Sequence, residues 1–411
     1  MIKNVIYFVR EDTIRGGINY MKVGYSYWGF LGDNKYNSKN ELVSTPDGNA
    51  FYSWSIIKAF QKLGYEVVSV MPDRDIYGWT KQGDKLFNSW CKEDRANAYS
   101  RMTKTEYASY NKEDIMHSFD EYLKDVDFVL IEWRFEIIGR NDETTERFYN
   151  NGDKELNWQP DYKIQKLLIE YCNSHNIPFV VFDLDYKLTK EDIQVYNIKY
   201  IIELGDKWIN ENLKDCSCKK IYIPFDMTHI NDIPISDTPK GNLVYIGNRY
   251  ERDWCIDIYI PEDMEGVKVY GNWTESGRDS KSRWPNIDFG QRLQTGDMPN
   301  IYKDYIATIL LAKGEYCRYN FMTARLLEAV FYGTVPFFIS EYGEETIAEY
   351  AGKYANFLTV NSSDELKDKI EMIKKMPSIR STLLIYLRAH LKFMSSDNFV
   401  QDVLRLVGKE K

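Results

Sequence analysis

Arg325 and Glu328 stand three residues apart in "RLLEAVFYGTVPFF", and every other residue from Leu326 to Tyr332 is apolar or aromatic. On a helix over Met322 to Tyr332 the two fall about 60° apart, one turn from each other. Leu326, Leu327, Val330 and Phe331 take most of the remaining circumference, so the helix is buried on most sides and keeps one polar stripe. A buried charge without a partner costs more than one helix recovers. Two arrangements meet that demand. Either the pair satisfies itself at i,i+3 and lines a solvent crack, or the stripe faces a cleft whose ligand brings hydroxyls to Glu328 and phosphate to Arg325. Gly333 then stops the helix in the left-handed conformation, and Pro336 opens the next strand.

The elements around this helix follow an α/β rhythm. In the first half, "NVIYFV", a helix from Ala50 to Lys62, "YEVVSVM", "VDFVLIEW", "PFVVFDLD", "YIIEL" and "KKIYIPF" alternate with helix-length segments, which implies crossovers and a parallel sheet. The stretch "DMTHINDIPISDTPKGN" has Asp, Pro and Gly without periodicity and predicts a linker. A second series follows: "LVYIGN", "VKVYGNW", "ATILLA", "VPFFI" and "FLTV". The expected layout is a first Rossmann-like unit over 1–225, a linker over 226–241, a second unit over 242–385, and a C-terminal helix over 386–411 that packs back across the junction. Two long loops are expected, Arg15 to Pro46 and Glu275 to Gln294, where a doubly wound sheet presents loops to ligands.

Bulk properties fit two soluble domains. The chain has 411 residues, 44% hydrophobic and 28% charged. With 53 basic and 62 acidic side chains the net charge is −9, which disfavours unaided binding along a polyanion but permits a local basic cleft. Six Cys lie outside any metal-ligand spacing, and no signal-like or membrane-length apolar run is present, so a cytoplasmic setting is expected. No G-x-G-x-x-G follows a strand, and no P-loop occurs, which excludes the usual dinucleotide and NTPase sites.

The block "YNFMTARLLEAVFYGTVPFF" resembles the nucleotide-sugar signature of GT-B glycosyltransferases, most closely the spore-maturation type with an Arg three residues before the Glu, and more weakly the T-even phage DNA glucosyltransferases. The resemblance implies two Rossmann-like domains facing each other across a cleft. It also implies that Glu328 binds ribose and that Arg325 and Thr323 face the diphosphate. Where the commoner retaining pattern has a Glu eight residues earlier, Asn320 stands in the donor site. "LVYIGNRYERD" is similar to the first strand and loop of the donor domain and brings in Gly247, Arg249 and Arg252. The likeness covers most of residues 242 to 360.

Such a transfer builds charge on the departing diphosphate, and arginines with a helix N-terminus can neutralise it without a metal. No obligatory metal is therefore expected, and the resemblance implies a UDP-linked donor. If the transfer inverts, a carboxylate on the first domain takes the acceptor proton, and Asp47 in "STPDGNAF" and Glu132 in "VLIEWRF" are the candidates; their plainer roles are a helix cap and a strand-end ion pair. Asp183 and Asp185 in "FDLD" carry a D-x-D spacing that belongs to the other common glycosyltransferase fold. "SGRDSKSRW" sets Arg278, Lys281 and Arg283 beside Trp284, a combination able to grip a nucleic acid strand. The acceptor is then either a hydroxymethylated base in phage DNA or a glycan. The contrasting reading is a catalytically degenerate nucleotide-sugar-binding module.

Overall fold

The computed structural model describes residues 21–26, 49–69, 112–133, 135–138, 147–148, 154–155, 159–228, 230–274, 279–293 and 298–409. Two six-stranded sheets, parallel throughout, account for most of the described strands. The first contains β1 (Lys22–Ser26), β2 (Glu66–Ser69), β3 (Phe128–Trp133), β4 (Phe179–Asp183), β5 (Tyr200–Glu203) and β6 (Cys218–Lys220), in the order β2-β1-β3-β4-β5-β6. The second contains β7 (Gly241–Ile246), β8 (Val267–Tyr270), β9 (Asp288–Gly290), β10 (Tyr305–Leu310), β11 (Val335–Ile339) and β12 (Thr359–Val360), in the order β9-β8-β7-β10-β11-β12. That is the doubly wound order, with its direction change between β7 and β10.

Strand alternation explains the layering. Along β3, Phe128 and Leu130 face one side, while Val129 and Ile131 face the other. The Val129 side packs under two helices, α2 (Lys112–Tyr122) through Phe119 and α3 (Gln159–Ser174) through Leu168 and Cys172. The Phe128 side meets Ile56 and Phe60 of α1 (Asn49–Lys62), and this core runs without interruption into that of the second domain.

Two expectations change. The segment expected as one loop from Arg15 to Pro46 contains β1, with Val23 and Tyr25 fully buried. "KVGYS" is too short and too rich in small and polar residues to stand out, and only its place between two strands makes it one. The Glu275–Gln294 segment is likewise not all loop: a short helix, α4 (Ser280–Arg283), leads into edge strand β9. The run "NVIYFV" lies outside the described residues.

The predicted crossing of the C-terminal segment is present. Helix α6 (Pro377–His390) stays on the second domain, one 3₁₀ turn follows, and α7 (Ser396–Leu406) lies on the first. Phe399 of α7 packs its ring 5.3 Å from that of Phe182 in β4. Lys62 of α1 reaches Asp397 at 2.5 Å, and Lys219 of β6 reaches Asp402 at 2.5 Å. Residues 226–228 and 230–240 carry no helix or strand and belong to the connection.

Candidate functional site

The second sheet ends, at its carboxyl edge, against the start of helix α5 (Arg325–Tyr332). The helix begins at Arg325, three residues later than the pattern predicts, because Ala324 offers no side-chain cap and Met322 and Thr323 remain irregular. Its end is as expected: Gly333 takes φ 87° and ψ 30°. Leu326, Leu327, Val330 and Phe331 are buried to 1% exposure or less, which fixes the rotation of the helix.

That rotation points Glu328 inward at 6% exposure. Among the described residues its carboxylate has no hydrogen-bond or ion-pair partner, and burial raises its pKa, opposed by the Arg325 charge. Arg325 donates from Nε to the carbonyl of Ile246, the last residue of β7, at 2.6 Å. Its two terminal amino groups have no protein acceptor among the described residues. The two side chains therefore do not satisfy each other. Burial depresses the Arg325 guanidinium, but the Tyr245 and Glu328 side chains raise it by more, so it stays charged.

Gly247, directly after β7, makes room for this arrangement. A Cβ there would stand 2.5 Å from the Tyr245 hydroxyl and 2.8 Å from Arg325 Nε. The hydroxyls of Tyr245 and Tyr302 are buried around the same pair without partners, and Tyr302 feels the Glu328 charge most strongly among its neighbours. Sequence reasoning gave neither tyrosine a role in the site. Buried polar groups are normally bonded, so a cluster of unmet capacity at one sheet edge marks a ligand site.

The remaining predicted residues divide. Thr323 is buried at 8% exposure just before α5, and Asn320 adopts a left-handed φ of 60° with its Oδ1 buried and unpartnered. Arg252 is 4% exposed and donates to the carbonyls of Asn248 and Tyr250, so it braces the loop after β7. Arg249 forks onto Asp253 at 2.7 and 2.6 Å and reaches Asp279 at 3.1 Å; these carboxylates, Asp253 above all, hold it in its charged form. In this conformation Arg249 is already paired. On the first domain, Glu132 is 3% exposed and accepts from Tyr25 at 2.5 Å and Ser53 at 2.9 Å. Asp47 lies outside the described residues.

Two other features of the sequence stand apart from this pair. Trp284 is 1% exposed and donates to Asp257 at 2.7 Å, Arg283 pairs with Asp253 and Asp257, and Lys281 is exposed. Arg278 of that loop lies outside the described residues. Asp183 is fully buried and accepts from the backbone of Lys187 and Leu188, whereas Asp185 is exposed, so the D-x-D pair does not converge. Among the described residues no group of three or more His, Cys, Asp or Glu could hold a metal.

No protein-family model matches the chain, and no curated protein does either. Solved structures do match along nearly its whole length. T4 phage β-glucosyltransferase in complex with its UDP-glucose substrate has a TM-score of 0.55 at 13% identity, covering 94% of this chain and 99% of that one. Anabaena HepE in complex with UDP-glucose gives 0.53 at 10%, covering 95% and 100%. Sucrose-phosphate synthase from Thermosynechococcus elongatus gives 0.51 at 10%, with the same coverage. The chain has the GT-B fold. In a GT-B molecule a ligand is expected at the carboxyl edge of the doubly wound sheet, beside the direction change, and the loop after β7 that carries Gly247 lies at that place. No helix among the described residues is long and apolar enough to cross a membrane.

Proposed function

We propose that the protein is a glycosyltransferase that moves a sugar from a nucleotide-sugar donor, UDP-linked, to an acceptor hydroxyl. The observation that carries this reading is the Glu328 carboxylate, buried at 6% exposure and, among the described residues, without a partner, one turn from an arginine whose amino groups are also unmet there. A ribose brings two hydroxyl donors to the former, and a diphosphate brings acceptors to the latter. The T4 and Anabaena neighbours are complexes with UDP-glucose, and one T4 structure contains UDP with Mn2+.

In the proposed step the bond from the anomeric carbon to the diphosphate oxygen breaks with its electron pair leaving on that oxygen. The acceptor oxygen bonds to the same carbon, and its proton passes to a base. Arg325 and the start of α5 stabilise the leaving charge. The base role stays with the first-domain carboxylates, Asp47 and Glu132. Glu132 holds the Tyr25 and Ser53 hydroxyls through Oε1 alone.

Asn320, in place of a carboxylate, supports a second reading: a module that binds a nucleotide sugar without turning it over. Both are tested together. Nucleoside diphosphates are screened by thermal shift, then UDP release from UDP-glucose is followed with DNA containing a hydroxymethylated base and with glycan acceptors. A shift with UDP and release dependent on one acceptor supports transfer to it. Binding without release supports the module, and no shift with any nucleoside diphosphate overturns both.

A further inference from the structure

Lys313 was not among the residues singled out by sequence, and it has an unusual surrounding. It follows β10 after Leu311 and Ala312, while the loop bearing Gly247 to Arg252 follows β7. These two strands are neighbours in the sheet and flank its direction change, so their loops form the two lips of the crevice where a doubly wound sheet takes its ligand. The Lys313 ammonium lies 4.3 Å from the centre of the Tyr250 ring and 5.2 Å from that of Tyr316. It is half-buried, and among the described residues it has no hydrogen bond and no ion pair.

Its electrostatic surroundings are mixed. Burial lowers its pKa, Arg252 lowers it further, and Glu251, Asp185 and Glu315 act the other way without coming within pairing distance. Two tyrosine faces offset only part of the hydration that a half-buried ammonium gives up. Tyr316 links this lysine to the donor site, since Arg252 and Arg325 both act on its hydroxyl. Asp185 of the first domain acts on both Lys313 and Tyr316, which sets the lysine at the side of the crevice that faces the other half of the molecule.

We infer that Lys313 is a phosphate-binding residue of the donor site, its ammonium taking the terminal phosphate of a nucleoside diphosphate while Arg325 takes the other side of the same group. The assignment rests on the proposed donor site and adds a residue to it. It also gives Tyr250, 60% exposed, a purpose: with Tyr316 it holds the lysine stem extended before the ligand arrives.

The test uses the full chain, the variants Lys313→Met and Lys313→Arg, and uridine, UMP and UDP as probes in titration calorimetry. A side chain of Met keeps the stem length and packing against both rings and removes only the charge. UDP affinity is expected to fall roughly 10- to 100-fold in the Met variant, as for loss of a charge-assisted contact. Uridine affinity should stay within about twofold, and Arg should recover most of the loss. Equal weakening of all three probes, or undiminished UDP binding, overturns the role of Lys313 while leaving the donor site standing. Absence of UDP binding by the unmodified chain overturns the donor site itself, so the two failures are distinguishable.

Discussion

On the proposed donor reading Glu328 destabilises the free protein and is useful only with a ligand, and these two consequences can be measured separately. Glu328→Gln removes a buried charge that has no partner, so the unliganded variant should melt at or above the temperature of the parent. The same change should weaken UDP binding roughly 10- to 100-fold, because a carboxylate that accepts two hydroxyls becomes a poorer acceptor. A variant that melts lower and binds equally would remove Glu328 from the site. The sign of the pH dependence follows. Hydroxyl donors favour the ionised carboxylate, whose free pKa is raised by burial, so UDP affinity should decline as pH falls through the mildly acidic range and level off above it. Gly247→Ala tests the packing behind the same pair: its Cβ has no room beside Tyr245 and Arg325 Nε, and donor affinity should drop with little change in the sheet. Arg325 and Glu328 were legible in the sequence because two charged residues contradict an otherwise apolar helix. Tyr245, Tyr302 and Lys313 were not, because each acquires its meaning from a residue on a different strand or helix.

The orientation of α5 depends on two further arginines that the sequence pattern hides within α6. Arg388 donates to the carbonyls of Val330 and Phe331 at the end of α5 and to that of Ile233 in the interdomain connection, at 3.2, 2.9 and 2.7 Å. Arg380 donates to Gly333 and Ser236 in the same manner. Both are 4% exposed, and all their hydrogen bonds go to backbone carbonyls; burial brings Arg380 down to about 10, so it remains charged at neutral pH. The guanidinium groups complement the negative end of the helix and tie it to the connection. Arg388→Met should therefore cost roughly 3 kcal/mol or more in urea unfolding, since three carbonyls, two of them at buried contacts, lose this donor. A cost below about 1 kcal/mol would show that water replaces the side chain there. Helices and strands with dense apolar runs were predictable at this scale. Strand β1 was not, since Gly24 and Ser26 dilute it and its burial comes from β2 and β3 on either side. The ends of β4 and β5 carry a further consequence: Asp183 and Glu203 are register partners, both fully buried, and burial lifts Asp183 to about 6 and Glu203 well above its usual range. Carboxyls whose folded pKa exceeds the unfolded value make stability fall as pH rises above about 4. Glu203→Gln should leave stability unchanged near pH 4 and raise the melting temperature increasingly towards pH 8.

Across the whole molecule the chain crosses the junction twice, once through residues 226–240 and once between α6 and α7. The return is anchored in the backbone: Phe225 donates to Met394 at 3.1 Å, and Ser396 donates to Phe225 at 2.9 Å. Lys409 then pairs with Asp127 at 3.1 Å, and the Tyr65 hydroxyl donates to the carbonyl of Lys409 at 3.2 Å. Between the halves, Glu349 accepts from Lys220 at 2.8 Å and from Tyr222 at 2.5 Å, and Tyr186 and Trp208 meet Tyr319 with ring centres 5.1 Å apart. The tandem of α/β units was evident from the spacing of apolar runs, but the sharing of one core between them was not, because no local pattern records which distant face a C-terminal helix will cover. The apolar layer on the Phe128 side of the first sheet is completed by Phe399, Val400 and Val403 of α7, all at 3% exposure or less. The two halves should therefore unfold together in a single calorimetric transition. Phe399→Asp places a charge in that layer and should split the trace in two, with the first domain melting earlier and the second close to the parent temperature. If the variant still melts in one transition at a uniformly lower temperature, α7 is not what couples the halves, and the contacts of Glu349 and Tyr319 are sufficient to do so.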